Sequence, residues 1–178
     1  PKVVCELKHM GSRAVVIVCR DEEAARVRFG VVGQGIGIVY TRTGRRFFAD
    51  PSLEHGLLDR LARALTASGQ WGDFETDWFC LDAELLPWSA KALELVKSQY
   101  AAVGAAARAG LREAVEALTA TAARVDEAKD LLERYRGRES RATAYVEAYR
   151  HYCWPVESVA DLKLAPFHLL ASAGGVHV

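Results

Sequence analysis

From Ser89 to Tyr152 the sequence turns rich in Ala, Glu and Arg, and its apolar residues recur every three or four positions. The stripe passes through Val96, Tyr100, Val103, Ala107, Leu111, Val115, Leu118, Ala122, Val125, Leu132 and Tyr135, with one seven-residue interval. That spacing keeps returning to one side of a 3.6-residue helix, so it predicts a long amphipathic helix built for helix–helix packing. Gly137 marks the expected break, and Tyr145, Tyr149 and Tyr152 would follow on a second helix. The chain therefore divides into a β-rich part, residues 1–89, a helical insert, 90–153, and a short return to the first part, 154–178. The class is α+β. A partner-docking surface is the other use such a stripe can have.

The flanking segments read differently. Residues 3–20, VVCELKHMGSRAVVIVCR, are rich in Val and Ile, with Met10-Gly11-Ser12 as the natural break in a strand–turn–strand. Residues 26–33 and 36–41 extend the β pattern, and Thr43-Gly44 supplies a hairpin turn before Arg45-Arg46-Phe47-Phe48. Leu53, Leu57, Leu58, Leu61 and Leu65 are spaced for a helix that begins after Pro51. Residues 76–86 return to strand character and end at Pro87. The segment LKLAPFHLLA near the C-terminus reads as buried strand or strand-and-turn.

Composition excludes several function classes. The 178 residues are 51% hydrophobic, enough for one sizeable core or a domain with an appendage. Formal net charge is +0, so any anion binding must come from local clusters and not from a global basic field. Cys5, Cys19, Cys80 and Cys153 are scattered, and no signal-peptide pattern or long apolar run occurs. These features suggest a reduced, cytoplasmic protein that does not span a membrane. The chain opens without methionine, directly in strand-like sequence, which suggests a piece of a longer protein. Gly33-Gln34-Gly35-Ile36-Gly37 fails the dinucleotide-binding spacing, because Ile38 stands where a glycine is needed and a strand follows; a plain turn is expected. No phosphate-loop lysine motif, no HExxH and no Gly-x-Ser-x-Gly occurs, so P-loop, zinc and acyl-transfer chemistry have no sequence support.

Lys8 is the residue whose surroundings suit a reaction. Desolvation or neighbouring cations lower a lysine pKa and make the amine a nucleophile. The apolar strand around Lys8 would supply the first and Arg13 the second, while Gly11 would let the backbone approach a ligand closely. Glu6, two residues before, would share its strand face. On these residues alone, an ordinary edge-strand lysine remains an equal reading.

Glu6-x-Lys8-x-x-Gly11-x-Arg13 resembles motif I of the covalent nucleotidyltransferases, the polynucleotide ligases and mRNA capping enzymes. Tyr40-Thr41-Arg42-Thr43-Gly44 is similar to the Arg-x-Gly hairpin that follows it in many ligases. Leu81-Asp82-Ala83-Glu84-Leu85 resembles motif III, and Lys163-Leu164-Ala165-Pro166-Phe167 resembles motif IIIa. The wording KHMGSR, YTRTGRRFF, LDAELLPWSAK and APFHLLA looks, more narrowly, like the ligase domain of bacterial polynucleotide kinase-phosphatase. That resemblance implies an antiparallel, β-rich nucleotidyltransferase core, like that of ATP-grasp-type ligases, incomplete here and carrying the helical insert.

It also implies roles. Lys8 would attack the α-phosphate of ATP and become lysyl-AMP. Glu6, Leu7 and His9 would border the nucleotide, Glu6 near the adenine amino group. Arg13 and Arg42 would hold ribose or phosphate. Glu84 would contact the ribose or help place Mg2+ or Mn2+, and Phe167 would stack on the base. AMP would then pass to an RNA 5′-phosphate for strand sealing. The implied partners are RNA with broken ends, an RNA 3′-end 2′-O-methyltransferase, and kinase and phosphatase modules of the same polypeptide; a homodimer is compatible with all of these. Two departures qualify the match. Met10 stands where many ligases have Asp or Asn, and no Glu-Gly-x-Val-x-Lys or later Lys-x-Lys occurs. The expectation is the front part of a catalytic domain, inactive by itself. The alternatives are a capping-type guanylyltransferase and a non-catalytic interaction module using the insert.

Overall fold

A computed structural model describes residues 2, 3, 5 and 8–177. The chain is α+β, with a five-stranded antiparallel sheet and two long helices. It falls into two compact units, one formed by Pro1–Lys91 with Pro155–Val178 and the other by Ala92–Trp154.

The first unit is built on strands β1 (Ser12–Cys19), β2 (Gly37–Thr41), β3 (Trp78–Leu86), β4 (Lys163–Ser172) and β5 (Gly175–Val176). Their order is β2-β1-β3-β4-β5, so β1 and β3 are interior neighbours. Alternation along the strands sends Ala14, Val16 and Val18 of β1 and Phe79, Ala83 and Leu85 of β3 to one face, where they are buried. Helix α2 (Pro51–Ala67) covers that face with Leu57, Leu58 and Ala62. Asp50 caps it by accepting from Ser52 N–H at 2.9 Å, and Pro51 takes the first turn, where its missing N–H costs nothing. Burial of Leu58 alone stabilises the unit by about 2 kcal/mol. Helix α3 (Gln70–Asp73) adds Trp71, stacked on Phe79 at 5.1 Å.

Two expectations for this unit are corrected. Residues 26–33 do not form a strand: helix α1 spans Glu22–Phe29. Asp21 accepts from Ala24 N–H at 2.8 Å, acidic Glu22 and Glu23 open the helix, Arg26 and Arg28 close it, and Gly30 ends it at φ 68°. These caps and the helix dipole outweigh the β preference of Val27 and Phe29. The segment before β1 is not strand either where it is described, because residues 8–10 have no regular secondary structure.

The second unit is a helical hairpin. Helix α4 (Ser89–Leu95) leaves helical dihedrals at Ala92, where the unit begins, and a π-helical turn (Val96–Ala101) leads into α5 (Ala102–Ala122). A 3-10 turn (Asp126–Ala128) precedes α6 (Lys129–Arg150). The chain reversal is therefore at 123–128, and α6 runs straight through Gly137, where a break was expected. A glycine within a helix costs only about 1 kcal/mol, which packing offsets. Gly104 of α5 lies against Val146 of α6, and Tyr100 stacks on Tyr145 at 6.3 Å between ring centres. No helix among the described residues is long and apolar enough to cross a membrane.

Candidate active site

The sheet face opposite α2 carries Arg13, Val15 and Ile17 of β1 and Cys80, Asp82 and Glu84 of β3. Arg13 stands opposite Glu84 and Val15 opposite Asp82. The Arg13 guanidinium reaches diagonally to Asp82: Nε donates to Oδ1 at 2.8 Å, and Nη2 donates to Oδ2. Two parallel bonds between a planar fork and a carboxylate fix both groups. The hydrogen bonding, with charge attraction to the same carboxylate, raises the Arg13 pKa above its usual value. Asp82 is 8% exposed, whereas the Arg13 side chain is 54% exposed, so one end of the clamp is buried and the other faces outward.

Glu84 has a second task. Its Oε1 accepts the Gly11 N–H at 2.9 Å, tying the segment that precedes β1 to the centre of the sheet. Gly11 is required there for space. A Cβ on it would lie 2.3 Å from the Leu85 carbonyl oxygen, a contact real Cβ atoms do not make. The close approach expected of Gly11 is therefore to strand β3.

Lys8 lies three residues before this anchor and is exposed; His9 is half-buried. Burial in an apolar strand is not what surrounds Lys8. Glu6 and Leu7, the other two residues expected here, lie outside the described residues. Phe167 is in β4, the strand beside β3. Ala165 pairs with Glu84 and His168 with Asp82, but Pro166 pairs with Ala83, so Phe167 is an extra residue in a β-bulge. Bulges re-aim side chains next to functional sites, and Phe167 is 54% exposed beside the two carboxylates' strand. Arg42 occupies the tip of the hairpin after β2, where Gly44 N–H donates to the Thr41 carbonyl at 2.9 Å and Gly44 has φ 79°. It is exposed and ion-paired to nothing among the described residues, and because Thr41 pairs with Ala14 it follows the edge strand at the level of Arg13.

Thus Arg13, Glu84 and Phe167 stand on neighbouring strands, with Gly11 just before the first of them. Asp82, named in the sequence only as part of the motif III resemblance and given no role, is the buried half of the clamp; its place two residues before Glu84, on the strand facing Arg13, was the available signal. Glu54 was also missed. It is 1% exposed, accepts the Val39 N–H at 3.0 Å and lies 3.5 Å from Arg46, bracing the Arg-rich hairpin. In sequence it is an ordinary acidic residue in a helix's first turn, and nothing marks it. No group of three or more His, Cys, Asp or Glu side chains is arranged to hold a metal among the described residues. All four cysteines are free, and burial raises the Cys80 thiol pKa, so it stays protonated.

The whole chain, residues 1–178, matches the family described as PNKP adenylyltransferase domain, ligase domain. No curated protein matches it. Among solved structures, it is similar to a chain of a Pnkp1/Rnl/Hen1 complex with 15% identity and a TM-score of 0.51, over 93% of this chain and 46% of that one. A second structure, of the Pnkp1/Rnl/Hen1 RNA repair complex, gives the same figures. The chain thus spans about half the length of the chains it matches, and at that identity the likeness is one of fold.

Proposed function

The chain belongs to the family of the PNKP adenylyltransferase (ligase) domain, and from that premise we propose that it carries the lysine-adenylylation step of an ATP-dependent RNA ligase in a bacterial repair enzyme. The observation that supports this reading best is the double tie between β1 and β3. Gly11 on Glu84 and Arg13 on Asp82 hold the Lys8 segment next to a fixed cation and two carboxylates.

In this reading the neutral Lys8 amine attacks the ATP α-phosphorus. A nitrogen–phosphorus bond forms, the bond to the bridging oxygen breaks, pyrophosphate leaves with the electron pair, and the nitrogen gives up one proton to water. Arg13, kept charged and aimed by Asp82, neutralises the α-phosphate or holds the ribose. Phe167 offers its exposed ring to the adenine, and Glu6, Leu7 and His9 border the nucleotide. Glu84, using one carboxylate oxygen for Gly11, would be the residue to help hold Mg2+ or Mn2+. When bound, the ion would add positive charge where phosphate charge develops. AMP next passes to an RNA 5′-phosphate, and a 3′-hydroxyl displaces it to seal the strand.

Residues 1–89 and 154–178 are then two parts of a nucleotidyltransferase core, and 90–153 an insert. The intact protein would work in the cytoplasm on broken RNA, beside kinase and phosphatase modules and an RNA 3′-end 2′-O-methyltransferase partner; the structures it resembles in fold are of an RNA repair complex. The test is to incubate the intact protein with α-labelled ATP and divalent metal, then measure label retained after denaturation. Retention that vanishes in Lys8→Ala is expected. No retention, or equal retention in Lys8→Ala, overturns the proposal, and preferential competition by GTP would turn it into a guanylyltransferase.

A further inference from the structure

On the same sheet face, a cavity of about 260 Å³ opens between the far end of β1, strand β2 and helix α1. Ile17, Phe29 and Ile38 give it an apolar lining, and Tyr40, Gln34 and Arg46 add polar groups. Ile17 is four residues along β1 from Arg13, roughly 13 Å at about 3.3 Å per residue, so the cavity extends away from Arg13, and Tyr40, opposite Val15, forms its wall nearest the Arg13–Asp82–Glu84 cluster.

Its chemistry is specific. The Phe29 ring is held edge-on to Trp78 at 5.2 Å between centres. Cys19, a buried wall residue, has its thiol pKa pushed up to about 11 by burial and adds apolar surface without reactivity. The Gln34 amide and the Tyr40 hydroxyl have no hydrogen-bond partner among the described residues. Gln34 is set at the rim by Gly33 and Gly35, both in left-handed conformation at φ 66° and 84°. Arg46 is braced by buried Glu54 at 3.5 Å. Next to it, Arg42 and Arg45 of the same hairpin are exposed and ion-paired to nothing among the described residues.

We propose that this cavity receives one unstacked base of the RNA strand being sealed, with Gln34 and Tyr40 on its polar edge and the Arg42–Arg46 hairpin on the adjoining phosphates. The volume is enough for one ring system. Aromatic and apolar walls, two unused hydrogen-bonding groups and an arginine row alongside are what single-stranded RNA recognition requires. The inference rests on the ligase reading, because it supplies the RNA.

The test uses the full-length protein and a short, fluorescently labelled 5′-phosphorylated oligoribonucleotide, read by anisotropy. Gln34→Ala and Ile38→Trp are each expected to weaken binding about tenfold, within the range for loss of one base's stacking, while label transfer from ATP to Lys8 stays at the wild-type level. Unchanged RNA affinity in both variants overturns the proposal, and so does a parallel loss of ATP labelling, which would assign the cavity to ATP. On wild-type protein, a 4-thiouridine oligonucleotide should photo-crosslink to the peptide containing Phe29–Tyr40; crosslinks confined elsewhere also overturn it. If wild-type protein takes no label from ATP, the ligase reading falls, and the anisotropy and crosslinks still decide the cavity.

Discussion

Arg13 and Asp82, 69 residues apart in sequence, meet as a two-pronged pair across β1 and β3, with Nε to Oδ1 at 2.8 Å. The carboxylate is buried and the guanidinium is half in solvent, so the pair aims a cation outward more than it holds the sheet together.

Replacing the fork by a point charge should therefore disturb function before stability. Arg13→Lys and Asp82→Asn are each expected to lower the rate of lysyl-AMP formation by about tenfold or more, since a bidentate site does not accept lysine as an equivalent. The melting temperature should barely move. Equal loss of stability and activity would show that the pair is structural.

Gly11→Ala should fail for a different reason. Its methyl would lie 2.3 Å from the Leu85 carbonyl oxygen, so the segment must lift away and release the bond to Glu84. Overpacking of this kind costs about 1–3 kcal/mol. Urea denaturation should report that loss, with lysyl-AMP formation abolished.

Asp21 gives a pH-dependent outcome. Its hydrogen bond from the Ala24 N–H, helped by Arg20, holds its pKa below the ordinary carboxylate value. A lowered folded-state pKa means that the capping contribution is complete above the ordinary value and drains away as pH falls through the lowered one. Asp21→Ala should cost about 1 kcal/mol near neutral pH, and its stability curve should approach that of the wild type in acid. A difference independent of pH would refute the assignment.

Gly104 sets two effects against each other. Alanine there gains about 1 kcal/mol of helix propensity, but its Cβ would lie 2.6 Å from Val146 Cγ2. Gly104→Ala is expected to be neutral or destabilising alone and stabilising in a Val146→Ala background. Thermal melts of the four proteins give the coupling directly.

Much of this fold could be read in the sequence wherever local pattern and local structure agree. The leucines of α2, the alternation of β3 and the apolar run of β4 carry periods that depend only on residues a few positions apart. The motif order that resembled a ligase domain was likewise a property of the chain as written, and the family match agrees with it. Helix α1 shows the opposite case: β-prone Val27 and Phe29 suggest a strand, but the Asp21 and Gly30 caps and the burial of Ala24 and Ala25 make the segment helical. The hairpin reversal at 123–128 was hidden because the stripe continues through Val125, and only the packing of α5 on α6 selects the turning point.

What the sequence alone determined, then, was the elements with a clear local pattern and the chemical types of the residues on offer: a lysine, an arginine, an acidic pair, a late aromatic. Tertiary structure decided which of them meet. Strand pairing brought Arg13 to Asp82, made Gly11 indispensable beside Leu85, and placed Phe167 in a bulge next to the carboxylate strand. The reason is geometric. Register and bulges are fixed by how whole strands bury one face against α2, and that choice depends on residues scattered over the chain, not on any local window.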